Sequence, residues 1–358
     1  MTSAHGDIPQ QQARAVGWFF TYTPLELLDA AGLKPYRILG APQETIGRAG
    51  ALLQGNVCSY TLNVLDCALD AQYQFLSGIV AVNYCDAARR LYDAWIHYLN
   101  PRFAYMIDLP KVPSPAAEDF FYSEIVRLKR ELEIRFNTSI TDDKLERSIA
   151  LYDDTRLLLR QLYETRKQDP PPVSGSELFT LIKETMTGDR EGSNQRLREA
   201  LSRAKTAPPG DGNGRPRVLV SGSMICDSRC LQLIEECGAD IVSDDLCVGT
   251  KYFAMEVRRN GEGPLRSLSD AYIRKIPSSL IQDAGNRLKN LIQLANDYRA
   301  DGIIHQVVKF CNPHITDVPY FRKKLREAGI PALFIEREHL LEGSGQLKTR
   351  IQAFLETL

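Results

Sequence analysis

Arg217–Leu246, RVLVSGSMICDSRCLQLIEECGADIVSDDL, is the stretch from which the fold can be read. It opens on a short apolar run, RVLVS (217–221), which turns at Gly222-Ser223. A helix is expected over Ser228–Cys237, stopped by Gly238, and a second strand over Asp240–Val242. Strand, helix and strand in such close succession read as a βαβ unit, the crossover that parallel strands need. The alternation continues downstream. A long amphipathic helix is expected over Ser278–Arg299, a buried strand over Gly302–Val308 (GIIHQVV), and a helix over Asp317–Ala328 with Gly329 at its C-cap. A strand over Ala332–Ile335 and a helix over Gly345–Leu358 complete the chain. The first half reads as more helical, with strands Tyr36–Leu39, Gly78–Val82 and Ala104–Ile107. Its helices are Pro24–Ala31, Ala49–Gln54, Asp86–His97, Ala116–Arg135 and Asp142–Lys167.

Two Pro/Gly-rich breaks, QDPPPVSG (168–175) and TAPPGDGNGRP (206–216), separate these halves. Between them Ser176–Lys205 reads as two helices joined at Gly188-Asp189, with Ser176 as an N-cap. The expected fold class is therefore α/β: two Rossmann-like (flavodoxin-like) domains whose parallel sheets face a cleft, plus helical N-terminal and connecting segments. The expected division is 1–170 for an N-terminal α/β domain carrying cluster cysteines, 171–213 for a helical connector and linker, and 214–358 for the C-terminal Rossmann-like domain. No internal sequence repeat is evident. Ligands of such folds bind at the carboxyl ends of the strands.

Composition narrows the class. Of 358 residues, 44% are hydrophobic and 25% charged, enough to bury a core and too apolar for disorder. Lys and Arg (44) balance Asp and Glu (45), so neither a nucleic-acid partner nor a membrane surface is expected. The opening MTSAHGDIPQQQARAVGW lacks a basic segment followed by an apolar one, and the longest uncharged stretches, Ala49–Leu65 and Ala71–Cys85, are broken by polar residues. A cytoplasmic protein is expected.

The eight cysteines are informative by position. Cys85 follows GIVAVNY, Cys311 follows GIIHQVVKF and Cys247 follows ADIVSDDL, so each stands where a strand is expected to end. Cys58 lies in GNVCSY, a turn after a helix. Thiols at one edge of two facing sheets would meet in the cleft, an arrangement that suits an iron–sulfur cluster. Three protein thiolates would leave one iron open to a substrate oxygen. Ordinary core thiols are the competing reading, because free Cys is among the most buried residue types. Cys226-x3-Cys230 with Cys237 has zinc-like spacing but no second pair; Cys230 and Cys237, seven apart on the expected helix, read as sharing its core-facing side.

The strings WFFTYTPLELLDAAGLKP, GNVCSY, GIVAVNYCDAARRLYDAW, VSDDLCVGTKYF, GIIHQVVKFCNPH and TRIQAFLE resemble the benzoyl-CoA reductase / 2-hydroxyacyl-CoA dehydratase family, specifically its iron–sulfur, D-component-like subunit. The resemblance runs in order from about Val16 to Leu358. It implies a [4Fe–4S] cluster, or a larger double-cubane cluster as in some relatives, bound by Cys58, Cys85 and Cys311, with Cys247 as a further cluster or pocket residue. It also implies a paralogous subunit in a heterodimer, or a second copy in a homodimer, and an acyl-CoA substrate. A separate iron–sulfur activator would use ATP to deliver single low-potential electrons. CDAARRLYDAW points to the reductase branch. A ketyl-radical 2-hydroxyacyl-CoA dehydratase and a non-catalytic electron relay or scaffold are the alternatives. His305 and Lys309, four residues apart on one strand, are expected to face one side and serve the cluster surroundings or the thioester. Glu26 and Tyr60 are the candidates for proton handling.

Overall fold

Runs such as GIVAV and GIIHQVV carry apolar side chains on both faces, which a strand tolerates only inside a parallel sheet covered on each side by helices. The computed structural model, which describes residues 14–41, 47–208, 214–338 and 344–358, shows two such sheets. The first half runs β1 (Ala15–Trp18), α1 (Leu25–Ala30), β2 (Lys34–Arg37), α2 (Ala49–Leu52), α3 (Ser59–Leu69), β3 (Leu76–Val82), α4 (Asp86–Leu99) and β4 (Ala104–Ile107). Four helices follow: α5 (Pro115–Phe136), α6 (Asp142–Thr165), α7 (Gly175–Thr187) and α8 (Arg190–Thr206). The second half runs β5 (Arg217–Gly222), α9 (Arg229–Glu236), β6 (Asp240–Asp245), α10 (Thr250–Phe253), α11 (Pro264–Arg274), α12 (Ala284–Asp297), β7 (Gly302–Val308), α13 (Asn312–Glu327), β8 (Ala332–Arg337) and α14 (Ser344–Leu355).

The strand orders are β2-β1-β3-β4 and β6-β5-β7-β8, parallel throughout. The two sheets thus repeat one topology, although no sequence repeat announces it. In each, the order reverses beside the first strand, and crevices at such reversals are where open α/β sheets bind ligands. The halves are also interleaved. Met255, Val257, Leu268, Tyr272 and Ile281, all from the second half of the chain, are buried in the same core cluster as Val80, Val82 and the apolar stripes of α5 and α6.

Several boundaries differ from the sequence reading. Helix α12 begins at Ala284 instead of Ser278, because Asp283 caps it by accepting from the Asn286 amide, while Arg287 Nη1 ties down the carbonyls of Ser278 and Ile281 ahead of it. Helix α13 begins at Asn312, five residues early, since a proline in the first helical turn is no obstacle. The N-cap of α7 is Ser174, whose hydroxyl accepts from the Glu177 amide; Ser176 instead donates to Glu235. Strand β2 lies two residues upstream of expectation, and β1 and α3 were not expected. Residues 209–213 of the Pro/Gly linker lie outside the described residues. Among the described residues no helix is long and apolar enough to cross a membrane.

Candidate functional site: a thiol-lined cavity

Side chains at or just beyond the C-terminal ends of β1, β2, β3, β5, β6 and β7 enclose a cavity of about 580 Å³, within the usual range for small-molecule sites. Its wall includes Phe20, Arg37, Tyr84, Met224, Val308 and Phe310, and it includes Cys58, Cys85, Cys247 and Cys311. Thiols separated by up to 253 positions in the chain are therefore brought to one space.

Three of them reach it in the same way. Cys58, Cys85 and Cys311 are the N-cap residues of α3, α4 and α13. Cys85 and Cys311 are each the third residue beyond the C-terminus of corresponding strands, β3 and β7. A helix N-terminus carries unpaired amides and a partial positive charge, which favour a thiolate over a thiol. Cys247 sits differently, in the turn between β6 and α10. That turn is held by Asp244, whose Oδ1 accepts from the amides of Leu246 and Thr250. It also needs a glycine, since a Cβ on Gly249 would come within 1.9 Å of the same oxygen.

Burial and charge act against each other on these thiols. The Cys58 thiol is held below its ordinary value by hydrogen bonding with Cys311, and the Tyr60 and Thr61 amides favour the same thiolate. That contact, with burial, pushes Cys311 well up. Burial raises Cys85 to about 11. Metal binding releases such protons, so these groups are poised to exchange them for a metal. Among the described residues, no three His, Cys, Asp or Glu side chains are arranged around a single ion. The donor set suits a cluster better, in which each thiolate binds a separate iron and the ligands face a volume.

Arg37, which the sequence reading passed over, closes the wall. Its side chain is 2% exposed, its guanidinium carbon stands 4.5 Å from the Trp18 ring centroid, and Nη2 approaches Met224 Sδ at 3.9 Å. The available signal was a charge inside the otherwise apolar strand segment Tyr36–Leu39. Phe20 and Tyr84, also on the wall, stack with ring centroids 4.7 Å apart and add apolar surface to it.

Of the residues expected to handle protons or touch a thioester, Tyr60 alone lines the cavity. Its hydroxyl donates to the Ile38 carbonyl at 2.9 Å, and burial lifts its pKa far above the ordinary phenol value. Glu26 lies elsewhere, fully buried, accepting from Arg156 and, at 2.8 Å, from the Tyr272 hydroxyl. Neither His305 nor Lys309 lines the cavity. Lys309, the first residue beyond the end of β7, is exposed and pairs with Glu338 at 3.2 Å. His305 points inward instead, its Nδ1 3.2 Å from Ser221 Oγ and its ring among Phe321 and Phe334. Of Cys230 and Cys237, read as sharing a core face, Cys230 is buried in a hydrophobic cluster and Cys237 is partly buried at the C-cap of α9, packed against the same cluster, which also holds Cys226.

Burial, with the nearby Lys251 ammonium, lowers the His305 pKa to about 3. An unfolded histidine titrates near 6.5, so between these values the unfolded chain binds the extra proton. The neutral ring's contribution to stability is complete above about pH 6.5 and is lost as pH falls toward 3. We expect the urea midpoint to fall as pH drops from 6.5 to 4, and to fall less steeply in His305→Leu. Equal slopes in the two proteins would refute this role.

Paired parallel sheets whose strand edges enclose a thiol-rich pocket define a class of α/β protein with its centre between the sheets. Within that class the assignment is specific: the model of the 2-hydroxyglutaryl-CoA dehydratase D-component family matches residues 20–358, and the chain belongs to this family. It is 27% identical to the (R)-phenyllactyl-CoA dehydratase beta subunit of Clostridium sporogenes, over 98% of this chain and 93% of that one. It is 27% identical to the beta subunit of the lactoyl-CoA dehydratase of Anaerotignum propionicum, over 96% and 91%. It is 25% identical to one of the subunits of the benzoyl-CoA reductase of Thauera aromatica, over 94% and 87%.

Proposed function

We propose that this chain is an iron–sulfur subunit of a radical acyl-CoA enzyme, with Cys58, Cys85 and Cys311 as ligands of a [4Fe–4S] cluster. The observation that carries the reading is the convergence on one cavity of three thiols at helix N-cap positions. Such a cluster, when bound, supplies one-electron chemistry and an iron without a protein ligand that can polarise a substrate oxygen. The chain's own residues do the rest. Phe20, Tyr84, Val308 and Phe310 keep water from the thiols, which strengthens every charge interaction in the cavity. The helix N-termini favour the anionic form of the ligands. Tyr60, through its bond to the Ile38 carbonyl, fixes the start of α3 and with it Cys58.

We read the chemistry as loss of water from a 2-hydroxyacyl-CoA, because relatives named as dehydratase beta subunits stand at 27% identity. Reduction of an aromatic acyl-CoA is the second reading, supported by the string CDAARRLYDAW and by the reductase relative at 25%. Either reading includes a partner subunit and a separate ATP-hydrolysing electron donor. The test is anaerobic turnover by the assembled enzyme, with that donor and ATP, on 2-hydroxyacyl-CoA and on benzoyl-CoA. Formation of the conjugated enoyl thioester is expected, with no change in the aromatic substrate. Ring reduction alone would replace the first reading by the second. An active, colourless, iron-free preparation would overturn both.

A further inference from the structure

Among the described residues, the guanidinium of Arg37 is a buried charge without a counter-ion. Its Nε and Nη1 are inaccessible to solvent and have no hydrogen-bond partner among the described residues. No ion pair involves it there, and its remaining contacts are the Trp18 ring and a thioether, a weak acceptor. Several other deeply buried basic side chains are answered by carboxylates, while Arg190 bonds the Tyr252 hydroxyl and lies over the Tyr152 ring, away from the cavity. Arg156 meets Glu26 and Asp153, Lys251 meets Asp245 at 2.8 Å, and Arg287 meets Asp317 at 2.7 Å. Arg166, whose Nε and Nη2 also lack partners, lies within the field of the Asp244 carboxylate and away from the cavity. A charge held out of water without a partner costs several kcal/mol. A cation–π contact offsets about 2 kcal/mol of such a cost. Unlike Arg166 and Arg190, Arg37 forms part of the thiol cavity wall, beside Tyr60 and Cys247.

We propose that Arg37 is the electrostatic positioning residue of this cavity: its fixed positive charge is compensated by the anionic thiolate-bound cluster and favours the cluster's reduced state. The inference rests on the cluster reading above and adds to it the identity of the group that sets the cluster's potential. The step is a one-electron reduction by an external low-potential donor. One electron enters the cluster, its net charge becomes more negative by one, and no bond or proton moves. In a low-dielectric site a nearby fixed cation stabilises that added charge far more than it would in water. Without the cluster, the same cation has nothing to balance it.

The two states therefore respond oppositely to loss of the charge, which a packing role would not produce. The experiment compares wild type, Arg37→Met and Arg37→Lys as full-length protein, anaerobically loaded and metal-free. In the loaded proteins, iron and sulfide content are measured and the cluster is titrated with Ti(III) citrate under electron paramagnetic resonance. At the wild-type midpoint potential, Arg37→Met is expected to show at least a tenfold lower ratio of reduced to oxidised cluster, a shift of 59 mV for one electron. Arg37→Lys should stay within threefold of wild type. Metal-free Arg37→Met should melt above metal-free wild type, because it replaces an unpaired charge by an apolar chain of similar length. Equal midpoints in iron-replete wild type and Arg37→Met would overturn the inference, as would a lower melting point for the metal-free Met variant. Should Arg37→Met fail to hold iron, full loading of Arg37→Lys supports the inference and equal loss in both overturns it. Wild-type protein that takes up no iron would instead overturn the cluster reading, and the metal-free melting comparison still decides whether Arg37 is uncompensated.

Discussion

Serine in place of Cys58, Cys85 or Cys311 is expected to strip the anaerobically purified protein of nearly all its iron, from about four atoms per chain in wild type. Each substitution removes a ligand that no neighbour can replace. Cys58, Cys85 and Cys311 stand at the N-cap positions of three different helices, and the fourth thiol on the wall, Cys247, is carried by a turn locked through Asp244. A serine hydroxyl stays protonated at neutral pH and binds iron poorly, whereas a capping hydroxyl serves a helix start well. The fold should survive, so near-native circular dichroism with bleached visible absorption is the expected pair of results. Cys67 and Cys230 supply the controls. Both are buried, neither lines the cavity, and serine there should leave iron content unchanged. Cys247→Ser is expected to keep the iron, because that thiol approaches from a turn and not from a helix cap. Full iron in the Cys58, Cys85 and Cys311 variants would remove the cluster from this cavity.

The second large effect concerns stability alone. Glu26, Arg156 and Tyr272 join α1, α6 and α11 through a fully buried carboxylate. Breaking a buried pair by neutralising one partner leaves the other charge stranded, at a cost of about 3–5 kcal/mol. Glu26→Gln and Arg156→Met should each lower the denaturant midpoint by a large fraction of the protein's stability, since folded domains stand only about 5–15 kcal/mol above unfolding. The double variant, which leaves only the half-buried Asp153 carboxylate without its partner, should be less destabilised than the sum of the singles. Chemical denaturation of the four proteins checks this, and additive losses would show that the pair is not coupled. Because α11 comes from the second half of the chain and α1 from the first, the same contact holds the interleaved halves together, without touching the cavity.

Why some residues were legible and others not follows from what each signal depends on. Cys85 and Cys311 could be placed from sequence because a strand that is apolar on both faces announces its own end, and the residue beyond it must lie at the sheet edge. The same logic gave most of the helices. It did not tell that His305 and Lys309 stay off the cavity wall: His305 is enclosed beside Phe321 and Phe334, and Lys309 pairs with Glu338 just past the strand's end. It failed for Glu26, which looked like a functional carboxylate near the chain's start. Its partners lie 130 and 246 positions away, distances over which sequence carries no charge information.

By itself, then, the sequence determined the parallel α/β architecture, most strand and helix positions, and which thiols stand at strand ends, because periodicity and local turn chemistry are properties of neighbouring residues. Tertiary structure decided the rest. It set the shared strand order of the two sheets, the return of residues 255–281 to the first core, the meeting of four thiols at one cavity and the solitude of the Arg37 charge beside them. Each of those depends on which distant segments exclude water from one another, and that is settled only when the whole chain packs.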